Sequence, residues 1–125
     1  MMARSVSNNG IGALYGTFDI DKTGEDYDLT SEDVGKAIAL SDNNEVDFGS
    51  DAGLLLGRLE HVQDGIATVQ VGGVVRLPYV TTAPTVGDAV VVNGAGSVKQ
   101  VGTGEPGRGI VLAVDSANTT CDVLL

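Results

Sequence analysis

The sequence predicts an all-β fold, a compact β-barrel or β-sandwich of short strands, and three observations carry that prediction. Short apolar runs recur along the chain, separated by clusters of Gly, Asn, Asp and Ser, the spacing expected of strands joined by tight turns. Residues 65–92, GIATVQVGGVVRLPYVTTAPTVGDAVVV, hold the densest alternation. Ala67, Val69, Val71, Val75 and Leu77 share one phase, with Thr68, Gln70 and Arg76 on the other, the period of two of a half-buried strand. With 18 glycines, no Trp and only 4% aromatic residues, the core must be built from Val, Leu, Ile and Ala, which favours short strands over long helices.

Taken in order, residues 1–29 read as an extended N-terminal arm. Residues 5–16 are small, polar and rich in Gly and Asn, and the following stretch packs in Asp19, Asp21, Glu25, Asp26, Asp28, Glu32 and Asp33 against a single Lys22, too little apolar density to fold alone. Residues 30–125 then form a single β domain. Strands are expected at 36–40, 54–62, 88–92, 97–101, 108–114 and 119–125, punctuated by SDNNE, QDG, NGAG, GTGEPG and DSANT. The central run from Ala67 to Leu77 reads as one long strand bent at Gly72-Gly73. A two-residue hairpin there would put Arg76 among the valines. Pro78 ends the strand or marks an edge. At 125 residues one unit with one core is expected.

A displacement of 52 positions superposes Val34 on Val86, Gly35 on Gly87, Ala37 on Ala89, Val46 on Val98, Gly57 on Gly109, Val62 on Val114, Thr68 on Thr120 and Val71 on Val123. Ile38 with Val90, Leu59 with Val111 and Val69 with Cys121 are conservative pairs at strand positions. The pattern predicts two similar β units, residues 33–73 and 85–125, joined by 74–84, with Gly35, Gly73, Gly87 and Gly109 at structural turns. A closed barrel with pseudo-twofold symmetry would cover most strand edges.

A formal charge of −10 and a pI near 4.1 exclude a DNA-facing or anionic-membrane-facing surface, which needs clustered Lys and Arg, so neither nucleic acid nor membrane is an expected partner. With no apolar run of signal-peptide or membrane-span length, a soluble protein made in the cytoplasm is expected. No enzymatic constellation stands out, and neither a catalytic residue, a metal site nor a cofactor is expected. His61, the only histidine, lies inside a strand, and Cys121, the only cysteine, reads as a small core residue. Asp19, Asp21 and Thr23 followed by Gly24 resemble the opening of a calcium loop, but position twelve is Thr30 where a bidentate Glu is required. GTGEPGRG lacks the Lys-Ser/Thr of a phosphate loop and opens a strand. A lipoyl- or biotinyl-like carrier is an alternative on architecture, but the expected tip at 93–96 holds no lysine and Lys99 lacks the required context. A small ligand-binding β-barrel is the other alternative.

The strand carrying Val69, Val71, Gly73, Val74, Leu77 and Pro78, the turn and strand from Gly87 to Val90, and the Gly109 to Val114 segment with its closing VLL resemble the capsid cement, or head decoration, proteins of tailed bacteriophages. The resemblance covers roughly residue 53 to the C-terminus. It implies a structural virion protein, made in the cytoplasm of the bacterial host, that binds the major capsid protein on the outer surface of the mature head as a homotrimer and stabilises the shell. Within that frame the β body is expected to make the trimer contacts. The arm is expected to dock on the capsid through Ile11, Leu14, Tyr15 and Phe18.

Overall fold

The alternating run around Gly73 is two strands in two different sheets. The computed structural model describes residues 6–125, and within them twelve strands: β1 (Leu14–Ile20), β2 (Lys22–Thr23), β3 (Asp26–Tyr27), β4 (Ala37–Asp42), β5 (Glu45–Asp47), β6 (Gly57–Gln63), β7 (Ile66–Gly72), β8 (Val74–Pro78), β9 (Val90–Val92), β10 (Val98–Gln100), β11 (Ile110–Asp115) and β12 (Thr120–Leu124). The only helical element among them is a 3-10 turn at Ser31–Asp33, capped by Thr30. The all-β prediction holds. At Gly73, with φ +80, a Cβ would strike the Ile11 and Gly12 carbonyls, so only glycine fits where the chain passes from one sheet to the next. The alternation survives that passage: Ala67, Val69, Val75 and Leu77 are all buried, and β7 and β8 make no hairpin.

β1, β5, β4, β6 and β7 close a barrel in that order, β1 pairing parallel to β5 and antiparallel to β7. The second half of the chain repeats the ring. β8, β12 and β11 form one sheet and β9 with β10 another. A parallel bridge from Tyr79 to Val98 and an antiparallel bridge from Val90 to Arg108 tie the two sheets together, giving the order β8, β10, β9, β11, β12. Every neighbour relation of the first ring, including its one parallel contact, recurs in the second. Local detail repeats as well. Gly35 N–H donates to the Leu59 carbonyl and Gly87 N–H to that of Val111, and Lys36 N–H reaches Asp33 O as Asp88 N–H reaches Thr85 O. Bulges fall at Glu60 and at Leu112, each 52 residues from the other. Gly57 and Gly109 both lie close against the last strand of their ring, but only Gly109 has a positive φ, +78.

The repeat therefore has different bounds from those the sequence implied. Residues 14–20 are not arm: β1 supplies the first strand of the first barrel, with Ile20 buried and Phe18 packed on the same cluster. Residues 74–78 are not linker: β8 is the counterpart of β1, pairing with the last strand of its own ring. The hairpin of β2 and β3 is an insertion that only the first unit carries. One core becomes two clusters. Ile20, Leu29, Ile38, Val46, Leu59, Ala67 and Val69 fill the first barrel. Val75, Leu77, Tyr79, Val90, Val92, Val98, Val111, Cys121 and Val123 fill the second, joined there by Ala37, Ala39 and Leu55. Residues equivalent in the repeat occupy equivalent places, Ile38 and Val90, Leu59 and Val111, and Val69 and Cys121 each buried in its own ring. Each such side chain contributes roughly 1.5–3 kcal/mol of burial.

Tight turns set the registers. Asp64-Gly65 links β6 to β7 with φ of 52 and 76, the left-handed pair that matches strand twist, and Asn43-Asn44 links β4 to β5 with only Asn44 left-handed, at φ 50. The barrels are joined side by side by backbone bonds from Ala37 N to Gly96 O (2.8 Å), Ala52 N to Val92 O (2.9 Å) and Val92 N to Gly53 O (3.0 Å).

Candidate functional site

Three features stand apart from the packing of the two barrels: an N-terminal strap, an arginine at the barrel junction, and an acidic end on the first barrel. Before entering β1, the chain lies along β8. Gly10 N–H donates to Val74 O (2.8 Å), Val74 N–H donates to Ile11 O (2.9 Å), and the Arg76 Nη2 donates to Ser7 Oγ (3.3 Å). Residues 7–11 thus grip the second barrel while 14–20 complete the first. Of the four expected anchors, Ile11, Leu14 and Tyr15 are exposed. Phe18 is half-buried against the first core, so it serves folding and is not free to dock. The strap is a clasp between units, and residues 1–5 of the expected arm lie outside the described residues.

At the junction, Arg108 Nη1 donates to the Leu55 carbonyl (3.1 Å) and to that of Leu56, while Nη2 donates to Val71 O (2.7 Å). Burial pushes this guanidinium down from its ordinary value, and among the described residues no carboxylate hydrogen-bonds to it; its partners are backbone oxygens of the segment leading into β6 and of β7. Ala39, Leu40, Gly53, Leu54 and Leu56 form an open apolar groove beside it, about 420 Å³ in volume. Gln70, expected on the polar phase of its strand, is buried and performs a similar task. Its Nε2 donates to Gly72 O (3.1 Å) and Val74 O (3.2 Å), across the passage between sheets. Neither role was read from the sequence. The signal for Arg108 was there, since a displacement of 52 sets it on Leu56, an arginine at an apolar position.

The acidic stretch does not form a calcium loop. Residues 22–27 fold into the β2–β3 hairpin with Gly24 at φ +67, Asp21 Oδ1 accepts from Lys22 N (2.7 Å), Thr23 Oγ1 donates to Asp28 Oδ1 (2.7 Å), and Thr30 caps the 3-10 turn. Asp19 takes no part. What the fold does assemble is Asp21, Asp28 and Asp47, with one carboxylate oxygen from each within 4.8 Å of the others. Asp47 comes from β5, too distant in sequence for a spacing motif to include it. Burial, and then the charges of Asp21 and Asp28, hold Asp47 above the usual carboxylate range against the pull of the Gly49 N–H. Three oxygens are about half of what calcium takes.

No protein-family model and no curated protein matches the chain. Its chemistry is therefore read from its own residues. His61 is exposed on β6, its Nε2 3.3 Å from Gln63 Oε1. Cys121 is buried in the second core, where burial and then the Asp122 charge push its thiol up to about 11, the opposite of the shift a reactive thiol requires. Lys99 lies within β10, not at the 93–96 turn, and is paired with Asp51 at 2.8 Å. Among the described residues no helix is long and apolar enough to cross a membrane. Gly35, Gly73, Gly87 and Gly109 all have positive φ; Gly73 and Gly109 adjoin strands, while Gly35 and Gly87 lie in the turns that precede β4 and β9.

Proposed function

We propose that this chain is a structural virion protein of a tailed bacteriophage, binding the major capsid protein on the outside of the head as a trimer and stabilising the shell. The observation that carries the reading is where the decoration-protein motifs fall. Val69, Gly73, Val74 and Leu77 run through the passage from β7 to β8, Gly87 to Val90 enters β9, and Gly109 to Val114 is β11 with the turn before it. Apart from Val69, which belongs to the first barrel, these residues frame the second, so the resemblance lies in scaffold positions. Shell stabilisation needs a stiff unit more than a reactive one, and two barrels cross-tied by the strap, Arg108 and Gln70 supply stiffness. A carrier role is not favoured, because Lys99 is engaged within a strand.

The test is co-sedimentation of purified protein with expanded heads that lack decoration, followed by heating of the bound and bare heads. Saturable binding and a raised temperature of head rupture are expected. Failure to bind such heads, from the phage whose genome encodes the chain, would refute the reading.

A further inference from the structure

The charge of the chain is not shared between the barrels. Thirteen acidic and three basic side chains fall in residues 14–72, but only four acidic and three basic in residues 73–125. The first barrel is strongly anionic and the second nearly neutral. Copies approaching through their first barrels would repel once within about 8 Å, the physiological screening length. Any self-association is directed to the second barrel.

That barrel offers a face for it. Ile110, Leu124 and Val74 are direct cross-strand partners on β11, β12 and β8, so their side chains stand in one row on one face of the sheet. Val74 N–H donates to the Ile11 carbonyl, bringing the strap alongside β8 at the same level. Ile110 is 47% exposed, Leu124 40% and Ile11 59%, while Val74, in the same row, is buried. The charges on this face are largely self-contained. Arg76 Nε and Nη2 donate to the two carboxylate oxygens of Asp122 at 2.9 and 3.2 Å, and Asp115, at the far end, accepts from Asn118 and the Ala117 N–H. Leu40 and Leu54, two further exposed leucines, belong to the anionic half, close in sequence to Asp42, Asp47 and Asp51. They are poorly placed for two copies to share.

We propose that copies of this chain meet through the outer face of β8, β12 and β11, with Ile110, Leu124 and Ile11 at the centre of the contact and the acidic first barrels held apart. The number three rests on the reading under Proposed function; the face does not. Sedimentation equilibrium of the full chain tests it across micromolar to near-millimolar concentrations. Wild type is expected to assemble, with Ile110→Asp and Leu124→Asp weakening assembly at least tenfold, and Leu40→Asp leaving it unchanged. Because a charge on a strand could disturb folding, Ile110→Cys provides a second readout: a short bis-maleimide should couple Ile110→Cys copies and fail to couple Leu40→Cys copies. A monomeric wild type, undiminished assembly of folded Asp variants, dissociation by Leu40→Asp, or coupling through residue 40 in preference to 110 would each overturn the proposal. Assembly without head binding would sink the virion reading alone, and head binding by a monomer would sink this proposal and the trimer of that reading while leaving head attachment standing.

Discussion

Replacing Arg108 by leucine, the residue type its repeat equivalent Leu56 carries, should separate the energetics of the two barrels from those of their junction. The guanidinium serves three carbonyls, those of Leu55, Leu56 and Val71. Hydrogen bonds from a charged donor contribute roughly 1.5–3 kcal/mol each, and leaving a buried acceptor without a partner costs about 1–3 kcal/mol. Two of the three bonds share Nη1, so two independent contributions are counted, and the expected loss is about 3–6 kcal/mol. Against a total of roughly 5–15 kcal/mol for a domain, that is a large fraction of the stability. It corresponds to a fall in Tm on the order of 10–15 °C. Urea unfolding followed by far-ultraviolet circular dichroism gives the loss directly, and Arg108→Lys should recover only part of it, since an ammonium cannot span two strands as a fork does. A loss under about 1 kcal/mol for Arg108→Leu would refute the claim that this side chain holds the junction.

Three further outcomes are expected. A Cβ at Gly57 collides with the Gln70 backbone carbonyl, whereas one at Gly87 meets nothing and suffers only from φ +92; Gly57→Ala should cost well over 2 kcal/mol and Gly87→Ala about 1 kcal/mol by urea unfolding. Asp47 has its folded pKa raised, so its favourable contribution is complete below the ordinary aspartate range and is lost as pH rises through the raised value; Asp47→Asn should stabilise by about 0.5 kcal/mol at pH 7, with the difference from wild type vanishing in acid when Tm is followed against pH. Cys121 should resist Ellman's reagent until the protein unfolds, Cys121→Val should be tolerated because Val69 fills the equivalent place, and Cys121→Ser should cost about 1–3 kcal/mol for its buried hydroxyl.

The strands of the repeat core, β4, β6, β7, β9, β10, β11 and β12, were legible because each carries apolar residues in a short stretch bounded by turn residues. The displacement of 52 was legible because strand spacing and the Gly35 and Gly87 turns are conserved between halves. β5 escaped notice because only Val46 marks it between Glu45 and Asp47. β1 was hidden for a related reason. Its inward residues Gly16, Phe18 and Ile20 do alternate with Thr17 and Asp19, but the alternation sits among Gly, Asn and Asp, and composition outweighed period. β8 was found as a strand yet assigned to the wrong one, since the period of two runs unbroken through Gly73 and nothing in it records that the sheet has changed. The acidic trio and the Arg108 clamp join residues far apart in sequence, and their assembly depends on ring closure that no local pattern encodes.

Each ring closes by pairing its first strand with its last, Leu14 with Gly72 and Val74 with Leu124, partners some fifty to sixty residues apart. Such closures are entropically late, because the intervening chain must be organised before the contact is rewarded. They meet at a single point: Gly72 ends one closure and Val74 begins the other, with Gly73 alone between them. On a ribosome the first ring can close as soon as β7 emerges from the exit tunnel, while the strands of the second are still enclosed and not free to compete. A chain refolding from denaturant has no such order, and β1 and β8, both first strands of the same topology, are then available together to β7 and β12. Vectorial synthesis thus enforces a sorting that the free chain must find by search, and refolding should be slower and more concentration-sensitive than the small size of each barrel implies.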